Sequence, residues 1–353
     1  INITDGAGPS AGAPISLLVD DQNLANGSTP AGPDSDAKSI TFTPGSDAIQ
    51  SIVFDSNLGN LNGGLVWTRV SDTQIVGKDG ADSIVRLDLS VLNNVATVTA
   101  TLLDNYDSHP GVNADDLQAL GSVKVVATDI DGEKAEGTVS VGVSDDVPTV
   151  NIVQTSPQSA VEGASINGTW THTDGADGAS TQVLVGNNSY HRGTAIDTGK
   201  GTLTVKADGT WTFIASNGLD QDVAQSVNFT VKVTDGDNDV ATDSLTINIT
   251  DGQGPSAGAP ISLLVDDQNL ANGSTPANPD FQEKSITFTP GSDAIESIVF
   301  DTNLASLGGG LAWTRVSNTQ IVGKDGADSI VRLDLSVAGN VATVRATLLD
   351  NYD

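Results

Sequence analysis

The sequence predicts an all-β protein that is built from tandem β-sandwich domains. Three observations predict this fold. Short segments throughout the chain alternate between apolar β-branched and polar residues, which is the two-residue period of a half-buried strand. Turn sequences rich in Gly and Asp separate these segments. No stretch of helix length carries apolar residues at the 3.6-residue period of an amphipathic helix.

The predicted strands follow one another at short intervals and are rich in Val, Ile and Thr. In chain order they are 39–43, 83–91, 95–102, 122–126, 201–207, 210–214, 227–233 and 245–249. The pair 201–207 and 210–214 flanks Asp208-Gly209, which is a strong signal for a hairpin turn. Short strands at this spacing are typical of immunoglobulin-like or cadherin-like β-sandwiches, which we expect to form an elongated array.

The first 107 residues recur at the end of the chain. Ile1 aligns with Ile247, and the match runs without a gap to Asp107 and Asp353. Of the 107 aligned positions 15 differ, which leaves 92 identities. Repetition of this kind indicates an array of domains. The repeating unit spans 246 residues, which is too long for one turn of a solenoid.

The unit divides at Asp145-Asp146-Val147-Pro148, because acidic residues before a proline favour an extended linker. We therefore expect domain A over 1–146, domain B over 147–250 and a second copy of domain A over 251–353. The second copy has no equivalent of 108–146. Either the sequence ends within this domain or a neighbouring chain supplies the missing strands. Because the chain starts with Ile and contains no Met, we interpret it as a segment of a larger protein.

The composition is strongly acidic, with 45 Asp and Glu against 15 Lys and Arg and a formal net charge of −30. Such a charge repels nucleic acid and anionic membranes, so we expect neither as a partner. The carboxylates also repel one another and destabilise a compact fold unless cations lie among them. Calcium, which prefers oxygen ligands, is the expected cofactor. The absence of Cys excludes disulfides and thiolate metal sites, and no apolar run has the length of a membrane-spanning helix.

Acidic residues recur at matching places in the two complete domains. Each domain has an acidic turn before its last strand and an acidic linker after it, and an acidic residue follows its first strand. We expect the linker of one domain to meet the turn of the next. The predicted calcium ligands are Asp145, Asp146, Glu162, Asp235, Asp237 and Asp239 at the A–B junction, Asp5, Asp21, Asp129 and Asp131 at the N-terminal junction, and Asp251 with Asp267 at the third junction.

The alternative interpretation of these residues is turn formation without any ion, because Asp-Gly pairs are ordinary turn formers. The same two interpretations apply to the loop Asp174-Gly175-Ala176-Asp177-Gly178, where turn formation is favoured. Asp79 and Asp82 are interpreted as a hairpin turn.

The sequence does not predict an enzyme. It contains no Gly-x-Ser-x-Gly, P-loop or His-Glu-x-x-His motif. The three histidines, His109, His172 and His191, stand apart from any nucleophile motif. The tryptophans fall on strand patterns and are predicted to lie in the cores rather than to form sugar platforms. They are Trp67, Trp170, Trp211 and Trp313.

Three runs at the end of domain A carry a family resemblance. They are Asp-Asn-Tyr-Asp-Ser-His-Pro at 104–110, Val-Ala-Thr-Asp-Ile-Asp-Gly at 126–132 and Val-Ser-Asp-Asp-Val-Pro-Thr at 143–149. This region resembles the repeat of about 143 residues found in type I-secreted giant adhesins of Gram-negative bacteria. Domain B, through 201–251, is similar to the cadherin-like or VCBS-type modules of the same proteins.

The resemblance implies type I secretion, an extracellular location at the cell surface, folding in calcium, and a role as the structural extender of a biofilm adhesin. By position it implies Asp129, Asp131, Asp145 and Asp146 as calcium ligands. The expected partners are neighbouring repeats of the same chain, with lateral or end-to-end self-association as a further expectation. The alternative function is a module of the same adhesin that binds carbohydrate, ice or a host protein, and near-identical repetition favours the spacing role.

Overall fold

The structure is a computed structural model, and it describes residues 1, 6–32, 34–106, 117–154, 159–236, 238–276 and 280–352. The predicted all-β fold is confirmed, because the regular structure of these residues consists of strands and two short 3₁₀ helices, Asp21–Asn23 and Asp267–Asn269. In the described part of the chain, no helix has the length and apolar character needed to span a membrane.

The described residues of domain A form ten strands in two sheets. The strands are β1 (Ser10–Ala11), β2 (Ile15–Asp20), β3 (Ser35–Thr43), β4 (Ile49–Phe54), β5 (Val66–Ser71), β6 (Gln74–Asp79), β7 (Asp82–Leu92), β8 (Val95–Leu102), β9 (Leu117–Asp129) and β10 (Lys134–Ser144). One sheet has the order β1-β3-β8-β7-β6-β5, and the other has the order β2-β10-β9-β4. Asp79 and Asp82 flank the turn between β6 and β7, as predicted.

The first and last strands of the four-stranded sheet of domain A run side by side. β2 pairs with β10 in parallel, and Asp20 lies opposite Ser144 at the end of the ladder. Parallel neighbours end at the same edge of a sheet, so the residues that follow β2 and β10 emerge together. This edge faces domain B. The turn between β9 and β10 lies at the opposite, N-terminal end of the domain.

Domain B repeats this arrangement, with ten strands among its described residues. They are β11 (Thr149–Gln154), β12 (Ser159–Val161), β13 (Ser165–Thr173), β14 (Ala179–Val185), β15 (Asn188–His191), β16 (Ala195–Asp197), β17 (Gly201–Val205), β18 (Thr210–Ala215), β19 (Gln225–Asp235) and β20 (Val240–Thr250). The two sheets have the orders β11-β13-β18-β17-β16 and β12-β20-β19-β14-β15. The first strand of the second sheet, β12, is again parallel to the last, with Val161 opposite Thr250.

In the part of the second copy that the structure describes, six strands form one sheet. They are β21 (Ser256–Ala257), β22 (Phe281–Thr289), β23 (Ala312–Ser317), β24 (Gln320–Asp325), β25 (Asp328–Ala338) and β26 (Val341–Leu348), in the order β21-β22-β26-β25-β24-β23. This sheet corresponds to the six-stranded sheet of domain A. Residues 261–266 and 295–300, which correspond to β2 and β4, are not strands.

Apolar side chains from the facing sheets fill each complete domain. In domain A, Phe42 and Leu87 of one sheet and Val125 of the other are at most 1 % exposed. In domain B, Trp170 and Trp211 are buried at 2 % and 0 % exposure, which confirms that these tryptophans belong to the core. Burial of aromatic rings supplies much of the stability of a core this small.

Candidate metal sites

A buried carboxylate lies at the end of domain A that faces domain B. Asp21 follows β2 and opens a 3₁₀ helix whose N-cap is Asp20. Asp145 and Asp146 follow the parallel strand β10. The parallel pairing brings the three acids to one edge, where Asp21 is 1 % exposed and both linker acids are also buried. We call Asp21, Asp145, Asp146 and Asp177 the A–B cluster.

The electrostatics of Asp21 are unfavourable for a bare carboxylate. Burial, together with the negative charges of Asp145, Asp146, Asp177 and Asp20, raises the pKa of Asp21 from 3.8 to about 8, and burial makes the largest contribution. Both carboxylate oxygens of Asp21 are buried and accept no hydrogen bond. An unsatisfied buried carboxylate is costly, so this position is suited to a cation that bonds to both oxygens.

Domain B brings its own acids to the A–B cluster. Ala179, the first residue of β14, pairs with Asp235, the last residue of β19. The loop that precedes β14 therefore lies beside the turn that precedes β20. A Cβ on Gly175 would lie 2.9 Å from the main-chain oxygen of Asp146 and 3.4 Å from a carboxylate oxygen of Asp235. The linker, the loop and the turn thus converge on the end of domain A.

The turn between β19 and β20 is closed by its own acids. The main-chain N–H of Asp239 donates to Oδ1 of Asp235 at 2.7 Å, and the N–H of Asp235 donates to the carbonyl of Asp239 at 3.1 Å. Asp239 is 0 % exposed and Asp235 is 8 % exposed. Asp237 lies outside the described residues.

Direct hydrogen bonds also cross this junction. The main-chain N–H and the hydroxyl of Ser28 donate to the two carboxylate oxygens of Asp146 at 2.7 and 2.6 Å. The amide of Asn105 donates to Oδ1 of Asp177 at 2.5 Å, and the amide of Asn26 donates to the carbonyl of Ala176. Two loops of domain A therefore hold the linker and the 174–178 loop of domain B, independently of any ion.

A second group of acids lies where domain B meets the second copy. Glu162 follows β12 and Asp251 follows its parallel neighbour β20, so the two emerge together. Asp293 joins them from the second copy, and the carboxylate oxygens of the three residues lie within 4.8 Å of one another. Desolvation and the charges of Glu162 and Asp251 raise the pKa of Asp293.

Glu162 contributes the buried part of this group. It is 5 % exposed. One carboxylate oxygen accepts hydrogen bonds from the main-chain N–H of Leu219 at 2.8 Å and from the amide of Gln221 at 3.3 Å. Its other oxygen, Oε2, is buried and accepts none. Like the carboxylate of Asp21, this oxygen is suited to bonding with a cation.

A third group lies at the turn between β9 and β10, at the N-terminal end of domain A. Asp129, Asp131 and Glu133 bring their carboxylate oxygens within 4.8 Å of one another. Oδ1 of Asp129 accepts hydrogen bonds from the main-chain N–H groups of Gly132 at 3.0 Å and Glu133 at 2.7 Å. These bonds close the turn. The A–B cluster is not among the groups within 4.8 Å, and it is recognised by its burial and by mutual repulsion.

The structure groups the predicted ligands differently from the sequence prediction in three cases. Asp21 lies with Asp145 and Asp146, not with Asp129 and Asp131 at the N-terminal junction. Glu162 lies with Asp251 and Asp293, not at the A–B junction. Asp267 is exposed and lies apart from Asp251. The reason is common to all three. The acid stands at the far end of its domain. Asp21 and Glu162 lie there because each follows a strand whose parallel neighbour, the last strand of the domain, ends at the same edge, and Asp267 occupies the position equivalent to Asp21.

The other predicted ligands fall where the sequence placed them or outside the described residues. Asp145 and Asp146 lie near Asp235 and the turn that Asp239 closes. This is the arrangement expected if the linker of domain A meets the acidic turn of domain B. Asp129 and Asp131 share one turn. Asp5 lies outside the described residues.

Sequence reasoning missed three acids as members of these groups. Glu133 stands two residues beyond the Asp-x-Asp pair of its turn, and Asp293 precedes the second copy's equivalent of β4. Asp177 was interpreted chiefly as a turn residue, yet it lies beside Asp21. A signal was available for Asp177, since a loop before a strand that pairs with β19 must lie next to the β19–β20 turn.

The residues present fit a hard divalent cation. Calcium takes six to eight oxygens from carboxylates and carbonyls, and both the A–B cluster and the Glu162 group offer a buried carboxylate oxygen that accepts no hydrogen bond. The side-chain donors are oxygen alone, since every member of these groups is Asp or Glu. This composition disfavours zinc and other metals that prefer sulfur or nitrogen ligands.

Comparisons with known proteins add structural similarities. No protein-family model matches the chain, and no curated protein matches it as a relative. The chain is similar to fibronectin(III)-like modules of Clostridium thermocellum CbhA, with 16% identity, 69% of this chain and 94% of that chain covered, and a TM-score of 0.21. It is also similar to Drosophila N-cadherin EC1-3, with 12% identity, 69% of this chain and 68% of that chain covered, and a TM-score of 0.21. For protocadherin gamma B2 cadherin domains 3–6 the identity is 12%, 96% of this chain and 71% of that chain are covered, and the TM-score is 0.29.

Proposed function

We propose that this chain is a structural extender segment of a large secreted adhesin at the cell surface, and that calcium bound at the domain junctions stiffens it. The observation that carries the proposal is the Asp21 carboxylate. It is 1 % exposed, accepts no hydrogen bond and is surrounded by further acids from the linker and from domain B. A cation at this position offsets the repulsion among these carboxylates.

The location of the cluster supports a mechanical role. Asp21 belongs to domain A, Asp145 and Asp146 belong to the linker, and Asp177 belongs to domain B. An ion bonded to all three parts removes the freedom of the linker to bend. The hydrogen bonds from Ser28 to Asp146 and from Asn105 to Asp177 set the approach of the two domains, and the ion adds strong bonds to this preformed contact.

The near-identity of the two copies of domain A supports spacing rather than recognition. Repetition of one module lengthens a fibre at constant geometry, whereas a ligand site needs to occur once. The acidic surface, with a net charge of −30, also resists aggregation of a long extended chain. Each further pair of domains adds two junctions that calcium can stiffen.

The test is small-angle scattering of the full chain at matched ionic strength in calcium and in EDTA. We expect an extended, well-defined particle in calcium, and a broader distribution of shapes with a shorter mean end-to-end length in EDTA. Calorimetric titration with calcium should give saturable binding. Magnesium is the control cation, because it demands octahedral geometry and keeps its waters, and it should restore the extended shape only weakly.

Identical scattering profiles in calcium and in EDTA, together with no heat of calcium binding, would contradict the proposal. Melting in the two conditions gives an independent measurement, since a ligand that binds only the folded state stabilises it by about 2.7 kcal/mol at one hundred times its Kd.

A further inference from the structure

The chain contains five Asn-Gly pairs, and the structure sets one of them apart from the other four. They are Asn26-Gly27, Asn62-Gly63, Asn167-Gly168, Asn217-Gly218 and Asn272-Gly273. The main-chain nitrogen that follows an asparagine can attack the side-chain carbonyl carbon and close a five-membered ring. Glycine hinders this step least, because it has no Cβ. Ring closure also needs an N–H that donates no hydrogen bond and a main chain that can rotate.

Two of the pairs follow the 3₁₀ turns of domain A and of its second copy, and their glycine N–H groups are occupied. The N–H of Gly27 donates to the carbonyl of Leu24 at 3.0 Å, and the N–H of Gly273 donates to the carbonyl of Leu270 at 2.9 Å. A Cβ on either glycine would overlap main-chain oxygens of the turn. Both glycines are therefore packed against the turn, and their nitrogens are poor nucleophiles.

Two further pairs are held by their main chain. The N–H of Asn62 donates to the carbonyl of Leu120 at 2.8 Å, and the buried hydroxyl of Tyr106 donates to the carbonyl of Gly63. Asn167-Gly168 lies within β13, which pairs with β11 on one side and with β18 on the other. These bonds oppose the rotation that brings the glycine nitrogen to the asparagine side chain.

Asn217-Gly218 lies in the loop between β18 and β19 and has none of these restraints. Both residues are exposed, and a Cβ on Gly218 would have open space around it. The N–H of Gly218 donates no hydrogen bond to any residue that the structure describes. Its φ of +72° is one that glycine adopts without steric cost. This pair therefore combines an available nucleophile with a main chain that can rotate.

The same loop holds the buried carboxylate of Glu162. The N–H of Leu219, which follows Gly218, donates to Oε1 of Glu162 at 2.8 Å. A Cβ on Gly163 would overlap Oδ1 of Asn217, so the side chain of Asn217 lies against the residue that follows Glu162. A change at Asn217 therefore acts next to a hydrogen bond of a carboxylate that is 5 % exposed.

We propose that Asn217 is a site of spontaneous deamidation, and that its product breaks the hydrogen bond from Leu219 to Glu162. The nitrogen of Gly218 attacks Cγ of Asn217. The new N–Cγ bond forms, the Cγ–Nδ2 bond breaks, and ammonia leaves with the proton of the Gly218 N–H. Water then adds to either carbonyl carbon of the resulting succinimide and breaks one of its two C–N bonds. The products are aspartate and isoaspartate, and each carries a new negative charge.

Isoaspartate has the larger consequence for the loop. Its main chain runs through Cβ and is one atom longer than that of aspartate. The extra atom displaces the N–H of Leu219, so Glu162 loses this hydrogen bond. The new carboxylate also adds negative charge near Glu162 and its neighbours Asp251 and Asp293. The modification does not depend on the proposed function, because the hydrogen bond from Leu219 to Glu162 needs no ion.

The test follows all five pairs in the full chain during incubation in mildly alkaline buffer with EDTA, by peptide mass spectrometry. Deamidation exchanges an amide for a carboxyl group and changes the mass of a peptide, whereas isomerisation of an Asp-Gly pair does not. Asn217 should deamidate at least about 5-fold faster than Asn26 and Asn272, which is the factor for one hydrogen bond. In urea, where the chain is unfolded, the five rates should converge.

Two results overturn the assignment of Asn217. One is an equal rate at Asn217 and Asn26 in the folded chain. The other is an Asn217 that stays intact in the folded chain while it deamidates in urea. Asn217→Gln is the control for the site, because its side chain would have to close a six-membered ring. It should abolish the change of mass in this peptide and leave the rate at Asn26 unaltered.

Hydrogen exchange of the Leu219 N–H, measured by NMR, tests the consequence for Glu162. In the purified isoaspartate form this exchange should be at least about 10-fold faster, the order for loss of a hydrogen bond to a charged group. Freshly prepared Asn217→Asp is the matched control, because it adds the same charge without lengthening the main chain. It should change the exchange rate less than about 3-fold. Unchanged exchange in the isoaspartate form, or equal acceleration in Asn217→Asp, overturns this part of the proposal.

Discussion

The two copies of domain A differ far more in environment than in sequence. Asp21 and Asp267 occupy equivalent positions, and each follows an N-cap Asp that accepts a hydrogen bond from the next Gln N–H at 3.1 Å. Both begin a 3₁₀ helix of three residues. Yet Asp21 is 1 % exposed and Asp267 is exposed. The local turn is therefore set by local sequence, whereas the candidate site is created by the linker and by domain B.

The same contrast separates the two sheets. In both copies the six-stranded sheet keeps its register, with Gln74 opposite Asp88 and Gln320 opposite Asp334. The ion pair Arg86–Asp88 also recurs at the same 2.6 Å distance. Residues 261–266 and 295–300 form no strands, because each needs a partner from the β9–β10 hairpin. One sheet of this sandwich holds its register alone, and the other depends on the hairpin.

The largest expected effect comes from substituting the buried acid in calcium. Asp21→Asn removes a charged ligand from the centre of the A–B cluster. The cation that offsets the repulsion among the remaining acids is then bound more weakly. We expect a loss of about 3 kcal/mol in the stability of domain A, which is the order seen when one member of a buried charge pair is removed. Local hydrogen exchange of β2 and β10 measures it.

Asp267→Asn is the matched control, because it makes the identical change at the exposed copy of this position. It should alter stability by less than about 0.5 kcal/mol. Equal losses from the two substitutions would show that the position matters for the 3₁₀ turn and not for a cation.

The next effect is a pH dependence in the absence of calcium. The pKa of Asp21 is raised from 3.8 to about 8, so between these values the folded protein holds a proton that the unfolded chain releases. Stability must then fall as pH rises through this window. From about pH 5 to about pH 6.5 in EDTA we expect domain A to lose about 2 kcal/mol through this group.

Hydrogen exchange of β2 and β10, corrected for the pH dependence of intrinsic exchange, follows this loss. The control is Asp21→Asn, which has no proton to release at this position. It should remove the contribution of Asp21 to the slope of stability against pH. A slope that survives unchanged in Asp21→Asn would assign the pH dependence to other carboxylates. Calcium should also flatten the slope of the unmodified chain, because the ion replaces the proton.

The fold was predictable because it depends on local patterns. Alternating segments such as 95–102 and 227–233 match β8 and part of β19, and the Asp208-Gly209 signal marks the turn between β17 and β18. The buried tryptophans of domain B followed from the same strand patterns. Two-residue alternation fixes which face of a strand is apolar, and this information lies within a few neighbouring residues.

The grouping of acids was less predictable, because it depends on which strands run in parallel. The sequence marks Asp21 and Glu162 as acids after a first strand, but it does not state that β2 and β12 end beside β10 and β20. Asp293 reaches its group from the next domain, and no local pattern marks it. Composition and spacing can therefore identify candidate ligands, and topology is needed to assign them to a junction.

The smallest expected effect concerns the hydrogen bonds that orient the A–B junction. Ser28→Ala removes the hydroxyl that donates to Asp146 at 2.6 Å and leaves the main-chain N–H bond in place. We expect a loss of about 1.5 kcal/mol, the order for a hydrogen bond to a charged group. Ser274→Ala is the matched control, because the second copy has no equivalent of Asp146, and it should be nearly neutral. If calcium alone held the linker, neither substitution would change the stability in calcium. Ser28→Ala would then lower the stability only in EDTA.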